Sequence, residues 1–334
     1  MNADLAHQAA RIFGLPGENF RPLSGGHFAA VYGFSHAGRN YVLRLTPPDE
    51  DIDLDATNAI IEWMHYLATH GACAPRPVLS PQGSRVESID QDATRYLASV
   101  FEQAPGILCE ELGSGLWSEA LYERLGRTVG RMHALAKDYA PRAGSLRRPE
   151  WDHGGNLFSP AKPLEGPLAA LSGKREAVLR QIARLPKDRD VYGLIHADLH
   201  FGNFFVDGES GPITFIDFDD CAYGWYVMDT AMLLFDSQVL YPGADKDGFA
   251  EHFLRCYLKG YLTENPLGSF WLRQLPHFLK LLEISVYATV YRAYATGTQD
   301  AWIGKFMPGR QARLENDVPY VGTDFERVAA AYAD

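Results

Sequence analysis

One stretch, LIHADLHFGNFFVDGESGPITFIDFDD from Leu194 to Asp220, constrains this chain more than any other. It holds two histidines, one asparagine and five aspartates. Carboxylates at this density repel one another and resist burial unless something positive lies among them. Two short apolar runs, NFFVD and ITFIDF, flank the turn GESG and predict paired strands. Such a hairpin brings Asn203 and Asp217 side by side at one end, where their oxygens are hard ligands suited to Mg2+. Asp198, on the preceding loop, can accept the proton of a hydroxyl. The order H-x-D-x-x-x-x-N, then a strand ending in I-D-F, therefore points to a metal ion carrying a polyphosphate.

The rest of the chain sets the frame. At 334 residues it is long for one small core, so two lobes are expected. A net charge of −11 disfavours nucleic acid or an anionic membrane as partner. The cysteines, Cys73, Cys109, Cys221 and Cys256, are scattered without a C-x-x-C pair, so reduced, mostly buried thiols are expected. MNADLAHQAARIFGL lacks an apolar run, so no signal peptide is expected. The late apolar stretch FLKLLEISVYATVYRAYA is broken by Lys280, Glu283 and Arg292 and reads as a buried or amphipathic helix. A cytoplasmic protein is the expectation.

Residues 1–101 read as β-rich. NFRPLSGGHFAAVYGFSHAGRNYVLRLTPP suits three short strands with tight turns. Ile60, Ile61, Met64 and Leu67 recur at helical spacing, with Gly71 able to end that helix. RVESIDQDATRYLASVFEQAPG returns to strand and stops at Pro105-Gly106. Beyond a linker at 102–106, residues 107–334 are mainly helical. One helix ends near Lys137, an aperiodic excursion covers 140–165, and further helices are expected at about 166–185, 225–240, 246–263 and 269–295.

With its motif and hairpin, the sequence resembles the aminoglycoside phosphotransferase-like kinases. That group includes aminoglycoside, choline, homoserine type II, hydroxylysine and bacterial stress-response kinases, similar in fold to protein kinases. The resemblance covers nearly the whole chain. It implies an α+β, bilobal protein-kinase-like fold with a small β-rich N-lobe and a large, mainly helical C-lobe. It also implies a nucleoside triphosphate co-substrate, ATP or GTP, with Mg2+. Gly25 and Gly26 of LSGGHF match the loop that covers the nucleotide. Arg44 of YVLRL stands where protein kinases carry a phosphate-binding lysine, and a guanidinium can serve the same end bidentately. Glu62 is the acid expected to pair with Arg44, although a second register places Ile60 there. At the hinge, the Glu102 carbonyl and the Ala104 N–H match the groups that hold adenine, with Phe101 behind the purine. His196 is expected to order the loop, and Asp229, on the following helix, to brace it.

The implied reaction is in-line transfer of a γ-phosphoryl group to a hydroxyl, with Asp198 orienting the acceptor. Acid and aromatic side chains, Trp151, Asp220, Trp225 and Glu283, are candidates for binding a small acceptor and would suit an amine-bearing one. Two other readings remain open at this point: a protein Ser/Thr kinase of the stress-response type, suggested by DFDD, and a nucleotide-binding pseudokinase. A histidine–carboxylate metal hydrolase built on HADLH is a further one.

Overall fold

A computed structural model describes residues 3–23, 29–47, 53–91, 94–153, 156–159, 163–297 and 300–332. They fall into two compact units. The first is 1–107 joined by two later segments, 139–148 and 205–219; the second is 108–138, 149–204 and 220–334. The two later segments of the first unit lie far from it in the chain, and the linear reading did not anticipate them.

The first unit opens with helix α1 (Ala3–Ile12), followed by strands β1 (Glu18–Leu23), β2 (Ala30–His36) and β3 (Arg39–Thr46). Helix α2 (Leu54–Thr69) precedes β4 (Glu87–Gln91) and β5 (Thr94–Glu102). The strands form one sheet in the order β1-β2-β3-β5-β4, every neighbour antiparallel. Side chains alternate faces along a strand. On β3 this sends Tyr41, Leu43 and Leu45 into a core with Leu5 and Ala9 of α1, Phe13 just after it and Val100 of β5. Arg44 has the opposite parity, so the central strand carries it on the other face. Helix α1 was not expected from the sequence; its small residues Ala6, Ala9 and Ala10 let it lie close on the sheet.

The α2 helix starts where Asp53 accepts the Ala56 N–H at 2.7 Å, and Gly71 follows it in the left-handed region at φ 70°. Its buried Glu62 accepts the Arg142 N–H and the Ser145 hydroxyl, both at 2.7 Å. Tyr139 packs on Trp63, ring centroids 4.7 Å apart. These contacts tie the segment 139–148 to α2. The other returning segment carries β8 (Phe204–Val206) and β9 (Ile213–Phe215), neighbours in a small sheet with β6 (Ile107–Leu108).

The second unit is helical around one short ribbon, β7 (Tyr192–Ile195) paired antiparallel with β10 (Ala222–Trp225). Its helices are α3 (Glu119–Ala136), α4 (Ser172–Ile182), α5 (Val227–Leu240), α6 (Lys246–Tyr261), α7 (Ser269–Leu272), α8 (Leu275–Ala295), α9 (Ala301–Phe306), α10 (Arg310–Glu315) and α11 (Phe325–Ala330). The helix expected over 166–185 is a 3-10 turn, Gly166–Leu171, followed by α4. No helix among the described residues is long and apolar enough to cross a membrane.

Helices α3 and α6 touch backbone to backbone. A Cβ on Gly126 would lie 1.9 Å from the Tyr257 carbonyl oxygen, and one on Gly260 would lie 1.8 Å from that of Glu123. Gly126→Ala should therefore force the helices apart and cost about 1–3 kcal/mol, read as a lowered denaturation midpoint. Gly173→Ala, in α4 with open space around it, should instead stabilise the protein by about 0.5–1 kcal/mol. Equal effects of the two substitutions would refute this packing.

Candidate active site

The loop that carries Asp198 leaves β7 at His196 and is held by one carboxylate. Asp229, in the first turn of α5, is fully buried and accepts the backbone N–H of His196 at 3.0 Å and of Ala197 at 2.9 Å. Just beyond this anchor Ala197 takes a left-handed conformation, φ 66°, which sets the direction in which the chain leaves towards Asp198. The His133 ring approaches Asp229 with Nε2 at 3.1 Å. Burial works against the Asp229 charge, but the His133 hydrogen bond, with the His133 and His196 rings and the His196 N–H, outweighs it and holds the carboxyl below its usual range. Behind it, His133 Nδ1 meets the Tyr261 hydroxyl at 2.9 Å, and Asn265 donates to that hydroxyl at 2.8 Å. Tyr261 can thus accept from Asn265 and donate to Nδ1, which leaves the ring proton on Nε2 facing Asp229.

Asp236, further along α5, accepts the Phe201 N–H at 2.9 Å and the Trp302 indole N–H at 2.7 Å. Between these two anchors Asn203 turns its amide onto Asp198, donating to the backbone carbonyl at 2.9 Å and to Oδ2 at 3.1 Å. The Asn203 Oδ1 accepts no hydrogen bond among the described residues. Asp198 keeps a side chain 23% exposed. From Asn203 the chain passes directly into β8, and Asp217 follows β9 by two residues at φ 61°. His133, Tyr261, Asn265 and Asp236 did not stand out in the sequence, because isolated polar residues on helices carry no spacing signal.

In the first unit, Arg44 forms a two-pronged ion pair with Asp219. Nη1 donates to Oδ1 at 2.6 Å, and Nη2 donates to Oδ2. Burial opposes the Arg44 charge, but the Asp219 hydrogen bond and the charges of Asp219 and Asp217 hold its pKa above the ordinary value. Arg148 donates to the Asp219 carbonyl at 2.6 Å. The expected Glu62–Arg44 pair does not form: Glu62 spends its two oxygens on Arg142 and Ser145, and Arg44 is held by an aspartate from the motif itself. Gly25 and Gly26 lie outside the described residues.

A cavity of about 210 Å³ opens at the end of β5, lined by Ala68, Ala74, Arg76, Glu102, Ala104 and Thr214 among others. The Ala104 N–H makes no hydrogen bond among the described residues. Phe101 is buried in β5 and does not line this cavity.

Three residues expected at the acceptor are structural instead. Trp151 and Trp225 are buried, their rings 5.3 Å apart, and the Trp225 indole donates to the Pro186 carbonyl at 2.7 Å. Large rings with a satisfied N–H belong to a core. Glu283 has no exposed surface and receives Lys280 and Arg310, each at 2.7 Å, so its charge is already compensated. Asp220 is half-buried.

Residues 19–267 match the model of the phosphotransferase enzyme family. The amicoumacin kinase of Bacillus subtilis (strain 168) is 33% identical over 319 residues, 89% of this chain and 93% of that protein. A solved amicoumacin kinase, in complex with AMP-PNP, Ca2+ and Ami, superposes with a TM-score of 0.85 at 28% identity, covering 98% of this chain and 97% of that one. A microcompartment-associated aminopropanol kinase shares the fold, with a TM-score of 0.71 at 22% identity over 95% of this chain and 98% of its own. The kinase-like fold, the loop geometry and these matches agree: the chain belongs to the phosphotransferase enzyme family and transfers a nucleotide's phosphoryl group to a hydroxyl of a small molecule.

Proposed function

We propose that the enzyme phosphorylates a hydroxyl of an amicoumacin-like antibiotic, with ATP as donor and Mg2+ as the metal. The observation that carries the catalytic assignment is the Asn203 amide folded onto Asp198 in a loop pinned by Asp229 and Asp236. The relative that is 33% identical supports the acceptor class. The AMP-PNP and Ca2+ in the neighbouring complex support an adenine nucleotide and a divalent ion.

Each residue has a role its geometry allows. Asp198, oriented by Asn203, faces the acceptor hydroxyl and takes its proton as phosphorus is attacked. The Asn203 Oδ1 and, separately, the Asp217 carboxylate are hard oxygens of the kind Mg2+ takes. The ion, when bound, neutralises charge on the triphosphate. Arg44 contributes fixed positive charge to the phosphates. The Ala104 N–H is a backbone donor for the purine in the cavity at the end of β5. His196 and Asp229 shape the loop, and the half-buried Asp220 is a candidate for the acceptor's amine.

Asp198→Asn should keep nucleotide binding and lower kcat about 10²–10⁴-fold, measured as ADP release with amicoumacin as acceptor. Unchanged turnover would remove Asp198 from the chemistry. Loss of even an outer partner of a bound metal typically costs about 10–100-fold in metal affinity, so Asn203→Ala should raise the half-saturating Mg2+ at least about tenfold. Mass spectrometry of the acceptor tests the substrate class. A phosphorylated amicoumacin supports it, whereas label appearing only on generic protein substrates would favour the protein-kinase reading.

A further inference from the structure

We propose that Asp219 is the carboxylate that positions Arg44 for the nucleotide's phosphates, the task that helix α2 was expected to perform. The proposal rests on the phosphotransferase reading of the site. Three observations carry it. The pair is two-pronged, so it sets the plane of the guanidinium as well as its distance. Arg44 stands on the central strand β3, opposite Val31 and Ser99, with its side chain 25% exposed and that of Asp219 30% exposed. The α2 acid that could compete, Glu62, has each oxygen engaged elsewhere, by the Arg142 N–H and the Ser145 hydroxyl.

The donor count leaves room for a ligand. A guanidinium has five N–H donors in a fixed fork. Asp219 takes two, so three remain for phosphate oxygens. Asp219 is itself placed from behind, since Arg148 donates to its carbonyl at 2.6 Å. Asp217, two residues earlier, also attracts Arg44. One short segment therefore supplies a candidate metal ligand and the group that aims the phosphate-binding cation. Without Asp219, a long flexible arginine would have to be ordered by the phosphates alone, at a cost in side-chain entropy.

The opposite role is a latch, in which Asp219 sequesters Arg44 until a triphosphate displaces it. The two roles predict opposite signs for Asp219→Asn, which removes the charge with little change in size. Binding of Mg2+–AMP-PNP and of adenosine to the full chain would be measured by calorimetry, with melting temperatures as the check on folding. Positioning predicts AMP-PNP affinity about 10–100-fold weaker, the range seen when partners orienting a bound ion are lost. It also predicts unchanged adenosine affinity and a higher KM for ATP. Asp219→Glu, which restores the charge, should recover part of the loss. Arg44→Ala combined with Asp219→Asn should lose no more than Arg44→Ala alone, because Asp219 acts through Arg44. Glu62→Gln should lower the melting temperature and leave AMP-PNP affinity unchanged. Tighter or unchanged AMP-PNP binding by Asp219→Asn, or additive losses in the double variant, would overturn the assignment. If the wild type itself neither binds Mg2+–AMP-PNP nor transfers phosphate, the functional reading fails instead.

Discussion

A charged carboxylate with no access to water is costly unless every lone pair is used, and Asp229 shows how that cost organises the second unit. It can stay ionised in the core because the His196 and Ala197 amides and the His133 ring all converge on it. The same requirement works in reverse on the loop. With its N–H held by that carboxylate, Ala197 turns the chain in a backbone conformation that side chains rarely take. The strain is local, the compensation comes from α3 and α5, and the result is a fixed stem for Asp198. Tyr261 and Asn265 extend the network into α6 and the turn after it, so the close packing of α3 on α6 also sets where His133 stands.

The first unit solves its electrostatic problem differently. Arg44 is partly buried and Glu62 buried, and simple pairing would have joined them. Each instead takes a partner from a returning segment: Arg44 from the stretch ending at Asp219, Glu62 from 139–148. Partly or fully buried charges thus hold distant pieces of chain against the sheet and α2. The apolar face of the sheet, packed by α1, supplies the core; the opposite parity of β3 leaves Arg44 for the ion pair.

The acceptor side shows where residue type misleads. Trp151, Trp225 and Glu283 looked like a recognition set because aromatics and acids suit an amine. In the structure the tryptophans pack with Tyr192 and Phe278, and Glu283 bridges α8 to Arg310 of α10. Recognition and core use the same side chains, and only solvent access separates the two.

Legible in the sequence by itself were the class of fold and the motif, with phosphoryl transfer as the expected reaction. The strand alternation of β2, β3 and β5, the helical periodicity of α2 and α3, and the fixed intervals from His196 to Asp217 are local patterns, and local patterns survive in one dimension. The fold also decided which charge meets which. That Asp219 rather than Glu62 holds Arg44, that His133 backs Asp229, and that 139–148 and 205–219 join the first unit were tertiary decisions. They depend on where a side chain finds a partner once water is excluded, and pairing across 175 residues, as between Arg44 and Asp219, leaves no periodic trace in the chain.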